Sequence, residues 1–359
     1  MHYARPYADD DVAASGKMIP HSKPDIGEAE VAALTRVALT GMLVDGPNSV
    51  SFVENLSKLA QGRHVSLCSS GRHALATALS SLKLRRGSGI ILQTYVCDAV
   101  VWAICKNDLT PQFADIGDHW CMTPDTAKRA KTRQTGAIIL SPPFGIFQSA
   151  KQFRDLNLPI IHDLCQASLA TIADAQPEHS GDVTVTSFHP TKYICAAGGG
   201  AIIKAYPESD SASKINSEHC GTPALFSELQ AALGEVQLSR LPEFARKRSA
   251  LYESYLAAAP EATTADIRAA IDVDPGRLFR FPIRTRNKLR ETMASFHSSG
   301  VAARSGVDSL AHRAFGLHDD LFPNAVCALK TTMSVPFYPA LLPEQASRVA
   351  ETLMRFACP

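Results

Sequence analysis

The sequence predicts an α/β protein: a mostly parallel mixed sheet between helices, followed by a smaller α+β unit. Three observations predict it. From Val65 onward, short apolar runs alternate with segments of helical spacing, the pattern of units that build a parallel sheet. Some of those runs end on polar residues, as at Asp163 and Ser187, and open α/β sheets bind ligands at the carboxyl ends of their strands. The chain has 359 residues, 45% of them hydrophobic and 20% charged, enough for a substantial core and two domains. We divide it into an N-terminal arm (1–18), a large domain (19–244) and a small C-terminal domain (245–359).

The elements follow in order. Ile26 to Thr40 carries Val31, Leu34, Val37 and Ala38 at helical spacing and ends at Gly41, a natural helix stop. Thr40 to Pro47 is a turn, and its apolar Met42, Leu43 and Val44 look exposed. Val50 to Ala60 is a short helix. Strands are expected at Gly89–Val96, Pro111–Asp115 and Gly136–Ser141, with a helical segment between the last two. Tyr206 to Gly221 is polar and serine-rich, hence a surface loop. Leu225 to Leu241 reads as an amphipathic helix with Leu225, Leu229, Ala232, Leu233 and Val236 on one face; Glu235, Arg240 and Glu243 are expected in solvent. A further helix spans about Glu243 to Ala257. Ala258 to Gly276, rich in Ala, Thr, Pro and Asp, reads as a linker. A strand (Arg277 to Arg284), a helix with Leu289, Met293 and Phe296, and a terminal helix from Pro343 that buries Val349, Leu353 and Phe356 complete the chain.

Three stretches carry chemistry. In Gly181–Ile203 a strand runs to Ser187, Phe188-His189-Pro190 breaks it, Lys192 follows, and Gly198 to Gly200 lie just beyond. Lys192 thus sits at a strand mouth beside backbone that can approach a ligand closely. A lysine amine freed of its proton by partial desolvation is a nucleophile for Schiff-base chemistry; a solvated loop lysine would leave the same pattern. In Val65–Leu82 a strand, Ser69-Ser70-Gly71 and a helix start form a natural anion site, or a plain N-cap. In Pro159–Ala167 an apolar strand delivers Asp163, with Gln166 three residues on; Asp163 could equally cap the next helix.

Ser187-Phe-His-Pro-Thr-Lys192 and its glycine-rich turn resemble the lysine motif of DegT-type sugar aminotransferases, pyridoxal-phosphate enzymes of fold type I. The resemblance extends to Ser-Ser-Gly, Asp163-x-x-Gln166, Ser227–Leu238 and Ser334–Pro339, in family order over about Ile19 to Ala357. It implies that Lys192 carries pyridoxal 5′-phosphate covalently and moves a proton, and that Asp163 keeps the ring nitrogen protonated. It further implies that Gln166 meets the ring oxygen, that Ser70, Gly71, Arg72 and Ser187 cradle the phosphate, and that Tyr95 stacks on the ring. An amino-acid donor, glutamate or glutamine by analogy, and a keto acceptor, most often a nucleotide-linked keto-sugar, are implied, as is a homodimer with shared sites. Two departures stand out. Arg72 replaces the family's usual threonine, and Pro223 and Leu225 stand where relatives have an asparagine and an arginine, so Arg72 is expected to replace a phosphate contact from the partner chain. A dehydratase branch has histidine in place of the lysine, which Lys192 argues against. A non-sugar substrate, or a non-catalytic regulator retaining the fold, are the other readings.

Composition excludes other classes. Net charge is +1 with no long basic run, so nucleic acid is not expected as a partner. No apolar run is long enough to cross a membrane. Met1 to Lys17 lacks the apolar stretch of a secretory signal. Nine cysteines without a C-x-x-C pair argue against a disulfide framework or a zinc site; they suit a reducing cytoplasm, most as small core residues.

Overall fold

The computed structural model describes residues 18–174, 176–204, 226–270, 274–285 and 289–357. Residues 1–17 of the expected N-terminal arm, the loop at Tyr206–Gly221, Pro223, Leu225 and the side chain of Phe356 lie outside the description.

Two helices open the described chain. The first, α1 (Glu28–Thr40), stops at Gly41, whose φ of 70° is the left-handed conformation glycine adopts without penalty. The second, α2 (Pro47–Leu59), begins with proline, whose missing N–H costs nothing there. Then strands and helices alternate: β1 (His64–Cys68), α3 (Gly71–Ser81), β2 (Gly89–Gln93), α4 (Asp98–Lys106), β3 (Thr110–Ala114), α5 (Pro124–Ala130), β4 (Thr135–Leu140), β5 (Ile160–Asp163), α6 (Leu169–Asp174), β6 (Val183–Ser187) and β7 (Gly200–Lys204). Seven strands form one sheet in the order β1-β7-β6-β5-β4-β2-β3. Only β7 runs against its neighbours, so all the other strands present their carboxyl ends at the same edge. The expected α/β fold is therefore present, with strand limits in the large sheet shifted by at most three residues; the strand expected at Arg277–Arg284 starts only at Phe281.

Helices cover both faces. Within β7, Ile202 joins one apolar layer with Ala74 and Leu75 of α3, while Ala201 and Ile203 join another with Phe52 and Leu56 of α2. This is the period-two alternation of a strand buried on both sides. Next come α7 (Glu228–Ser239), against which α1 and α2 pack, and α8 (Leu241–Ala258).

The C-terminal unit contains α9 (Glu261–Ala270), β8 (Phe281–Arg284), α10 (Leu289–Ser298), β9 (Arg304–Ser305), α11 (Pro323–Thr331), β10 (Thr332–Val335) and α12 (Pro343–Ala357). Its sheet, β8-β10-β9, is antiparallel throughout. The expected linker at Ala258–Gly276 is corrected here: most of it is α9, packed on β8 through a fully buried Ile267. Alanine is the best helix former, so an alanine-rich stretch with one buried isoleucine folds rather than links. Val349 and Leu353 of α12 are buried as expected.

Arg240 and Glu243 are not simply solvated. Arg240 pairs with Asp25 (2.9 Å), Glu30 (2.6 Å) and Glu243 (3.0 Å), tying the segment before α1 to the α7–α8 junction. Glu235 accepts from Asn55 Nδ2 (2.9 Å). The cysteines also divide. Among the described residues Cys68, Cys121 and Cys195 are buried but Cys97, Cys105 and Cys327 exposed, so core packing accounts for only part of them. Among the described residues no helix is long and apolar enough to cross a membrane.

Candidate active site

The three stretches singled out from sequence meet at the carboxyl edge of the large sheet. Cys68 of β1 and Ser187 of β6 both pair with Gly200, so the ends of β1 and β6 flank the start of β7. The glycine run makes this possible. Gly198 and Gly199 have φ of 131° and 90°, and a side chain on Gly199 would stand 2.2 Å from the Phe226 ring. A Cβ on Gly200 would stand 2.7 Å from the Gly71 nitrogen, so the first turn of α3 presses directly on this junction.

Gly71 is the convergence point. A Cβ there would lie 2.6 Å from Ser187 Cβ and 3.1 Å from Cys165 Sγ. One glycine thus touches the strand end that precedes Lys192 and the loop that follows Asp163. Burial pushes the Cys165 thiol well up; Asp163 adds to the rise and Lys192 opposes it, so the thiol lies within the fields of both.

Asp163 is 8% exposed and firmly held. Its Oδ2 accepts from Ser141 Oγ (2.9 Å) at the end of β4, and its Oδ1 accepts from the Cys165 N–H (3.1 Å). Gln166 Oε1 accepts from the Phe144 N–H (3.2 Å). Lys192 sits in a turn closed by its own N–H on His189 O (2.8 Å), and its Nζ lies 5.4 Å from the centre of the Phe279 ring. Burial, then the Lys192 charge, lowers the pKa of His189, which favours neutral imidazole beside the amine.

The remaining candidates are placed as follows. Ser70 caps α3, its Oγ accepting from the His73 N–H (3.2 Å), while His73 Nδ1 meets the hydroxyls of Ser69 (2.8 Å) and Ser70 (3.2 Å). The N-cap alternative is thus realised. It leaves the first N–H groups of α3 facing the Gly71 junction, where an anion is favoured. The Arg72 guanidinium lies 5.3 Å over the Trp102 ring. Tyr95 follows β2 at the same sheet edge, but its ring is fully buried and its hydroxyl abuts Gly306, where a Cβ would come within 1.9 Å.

Sequence reasoning missed several neighbours. Ser141 supports Asp163, Phe279 underlies Lys192, and Arg280 donates to Thr191 O (3.4 Å) beside it. Of these, only Ser141, as a polar strand end, left a signal in the sequence.

The family model of the DegT/DnrJ/EryC1/StrS aminotransferase family matches residues 24–354. The chain belongs to this family. It is 26% identical over 355 residues to the dTDP-3-amino-3,4,6-trideoxy-alpha-D-glucose transaminase of Streptomyces venezuelae, covering 91% of each chain. It is 23% identical over 380 residues to the spore coat polysaccharide biosynthesis protein SpsC of Bacillus subtilis, covering 93% of this chain and 96% of that one. Its fold is that of Helicobacter pylori PseC, an aminotransferase involved in the biosynthesis of pseudoaminic acid, with a TM-score of 0.82 at 19% identity and coverage of 95% and 99%.

The family is one of pyridoxal-phosphate enzymes, and the residues present fit that cofactor. There is a glycine cradle that a side chain would fill, a helix N-terminus for a phosphate, a carboxylate held by two donors, and a lysine one turn from the cradle strand.

Proposed function

We propose that the protein is a pyridoxal-phosphate aminotransferase that moves an amino group from an amino-acid donor, glutamate or glutamine, to a nucleotide-linked keto-sugar. The observation that carries this reading is the meeting of Gly71, Ser187 and Cys165 at one sheet edge, between Asp163 and Lys192. The bound cofactor supplies a ring that takes up the electron pair left on the donor Cα. Lys192 would hold the cofactor covalently, and its amine, once free, would take the proton of the donor Cα. Asp163, fixed by Ser141 and the Cys165 N–H, keeps the ring nitrogen protonated. Gln166, itself held by the Phe144 N–H, would meet the ring oxygen, whereas Tyr95, its ring wholly inside the core, has no open face for the cofactor. Ser70, Gly71, Arg72 and Ser187 would hold the phosphate.

The relatives named above support the sugar acceptor. The protein works as a homodimer in a reducing cytoplasm, with Met42, Leu43 and Val44 at the interface. These three side chains are 53%, 44% and 49% exposed on the single chain. Incubating purified protein with L-glutamate and a dTDP-linked keto-hexose tests the reading. Mass spectrometry should find the amino sugar, and its absence with every nucleotide-linked keto-sugar tried would refute the acceptor class.

A further inference from the structure

The charges on the large sheet are sorted by edge. Three connections meet at the amino edge: residues 82–88 between α3 and β2, 107–109 between α4 and β3, and 131–134 between α5 and β4. Gly89 of β2 pairs with Thr110 of β3 and Thr135 of β4, which sets the three connections side by side. They also bond to one another. The Gly87 N–H donates to Asp108 O (2.8 Å), and the Gly89 N–H donates to Gln134 O (2.9 Å). Leu84 packs on the core, its Cδ2 3.0 Å from where a Cβ on Gly136 would stand. The backbone that carries this edge is therefore held in place.

Lys83, Arg85 and Arg86 lie on the first connection, and Lys106 ends α4. Lys128 and Arg129 lie in the last turn of α5, and Lys131 and Arg133 follow it. All eight are exposed, and they are every lysine and arginine between Leu82 and Thr135. Of the five aspartates in that span, four (Asp98, Asp115, Asp118 and Asp125) fall on the connections at the opposite, carboxyl edge. The fifth, Asp108, pairs with Arg86 at 3.6 Å. Exposed Asp155 lies beside Leu156, whose carbonyl accepts from Lys131 Nζ (2.7 Å), and Asp182, just before β6, is taken by Arg154 (2.8 Å). Lys106, Lys128 and Arg129 stand in last turns, where a cation favours the helix dipole. The other five gain nothing from that source. The whole chain has a formal net charge of only +1, so outside this edge it is on balance acidic.

We propose that this basic edge is a docking surface for an anionic lipid bilayer. The inference does not depend on the amino-transfer reading. A protein partner needs apolar or aromatic anchors, and among the described residues no large apolar side chain between Leu82 and Thr135 is exposed. Nucleic acid is held by helix N-termini on its phosphates and by aromatic rings on its bases. Here α3, α4 and α5 bring their carbonyl ends to the edge, and no aromatic ring is exposed on it. What the edge offers is a spread of long cationic side chains, which meet a diffuse negative surface without a matched shape. With no apolar side chain to insert, the contact is electrostatic, reversible and sensitive to salt. Asp163 and Ser187 end their strands at the opposite edge, so the candidate active site stays open to solvent while the amino edge touches lipid.

Vesicle sedimentation with the full-length, cofactor-loaded protein tests this. Vesicles of phosphatidylcholine are compared with vesicles that also contain about 30% phosphatidylglycerol. The anionic vesicles should carry the protein down and the neutral ones should not, and sodium chloride at about 0.5 M should release it. The triple variant R85Q/R129Q/R133Q should partition about ten- to a hundred-fold more weakly, whereas R85K/R129K/R133K should partition as wild type does. Both variants should keep the wild-type cofactor absorbance and melting midpoint. The lipid and salt comparisons use wild-type protein, so they decide even where a variant misfolds. Wild type that ignores anionic vesicles, equal binding to neutral ones, or undiminished binding by R85Q/R129Q/R133Q would each overturn the proposal. A random-sequence DNA duplex bound more tightly than the anionic vesicles at the same salt would overturn it too, and would assign the edge to nucleic acid.

Discussion

Gly71 shows how one residue can be fixed by what it must not have. A single methyl there would stand 2.6 Å from Ser187 Cβ, so Gly71→Ala must shift either α3 or the strand leading to Lys192. We expect that variant to fold but to lose cofactor affinity in a spectroscopic titration; wild-type affinity would show that the cradle lies elsewhere. Asp163→Asn keeps the Ser141 and Cys165 contacts in shape but removes the charge, so it should retain bound cofactor and lose nearly all transamination. Near-normal turnover would mean another acid holds the ring. These residues were legible because each ends a buried strand or opens a helix at a recognisable spacing. Arg280 and Arg248 were not legible. An arginine in an expected strand and another inside an expected helix look like solvated charges. Only the packing of α8 against the Phe279 and Phe337 backbone reveals them as buried.

At the scale of elements, the alternation of strands and helices could be read from periodicity, because strands buried on both faces are short apolar runs. What could not be read is where buried polar groups replace apolar packing. Glu228, fully buried at the start of α7, caps α2 across the structure. It accepts from the N–H groups of Asn48 (2.7 Å) and Ser49 (2.8 Å) and from both their side chains. Burial opposes its charge, but the Ser49 and Asn48 hydrogen bonds outweigh it and hold its pKa at about 2. A carboxyl depressed on folding stabilises the protein above the ordinary carboxylate range, and the benefit fades as pH falls toward that value. Glu228→Ala should therefore lower stability by about 1–3 kcal/mol at neutral pH in denaturant melts, with the gap to wild type closing in acid. A gap that does not change with pH would show that packing, not charge, is lost. The helix α9 failed as a sequence reading for a different reason. Its polar surface masks one core contact, and Ile267→Ala should cost about 2–5 kcal/mol in the same melts. An unchanged midpoint would restore the linker reading.

At the scale of the molecule, one apolar cluster runs from the large sheet through Tyr95, Phe144 and Trp120 to Phe281, Phe337 and Val349 of the C-terminal unit. That continuity holds Phe279 and Arg280 against the Lys192 turn, so the candidate site is built from both parts of the chain. Ile26, Val31, Leu39, Met42, Leu43, Val44 and Val50, close together in sequence, are large and exposed. Light scattering should give about twice the 38.6 kDa chain mass, and Leu43→Asp should shift it to the monomer; a wild-type monomer active at high dilution would refute the shared site. The central claim is that Lys192 holds the cofactor where Gly71, Ser187 and Asp163 meet. Borohydride reduction of the cofactor-loaded protein, followed by peptide mapping, tests it most directly. The reduced cofactor should be found on Lys192 and be absent from Lys192→Ala; label on any other lysine, or none at all, would contradict it.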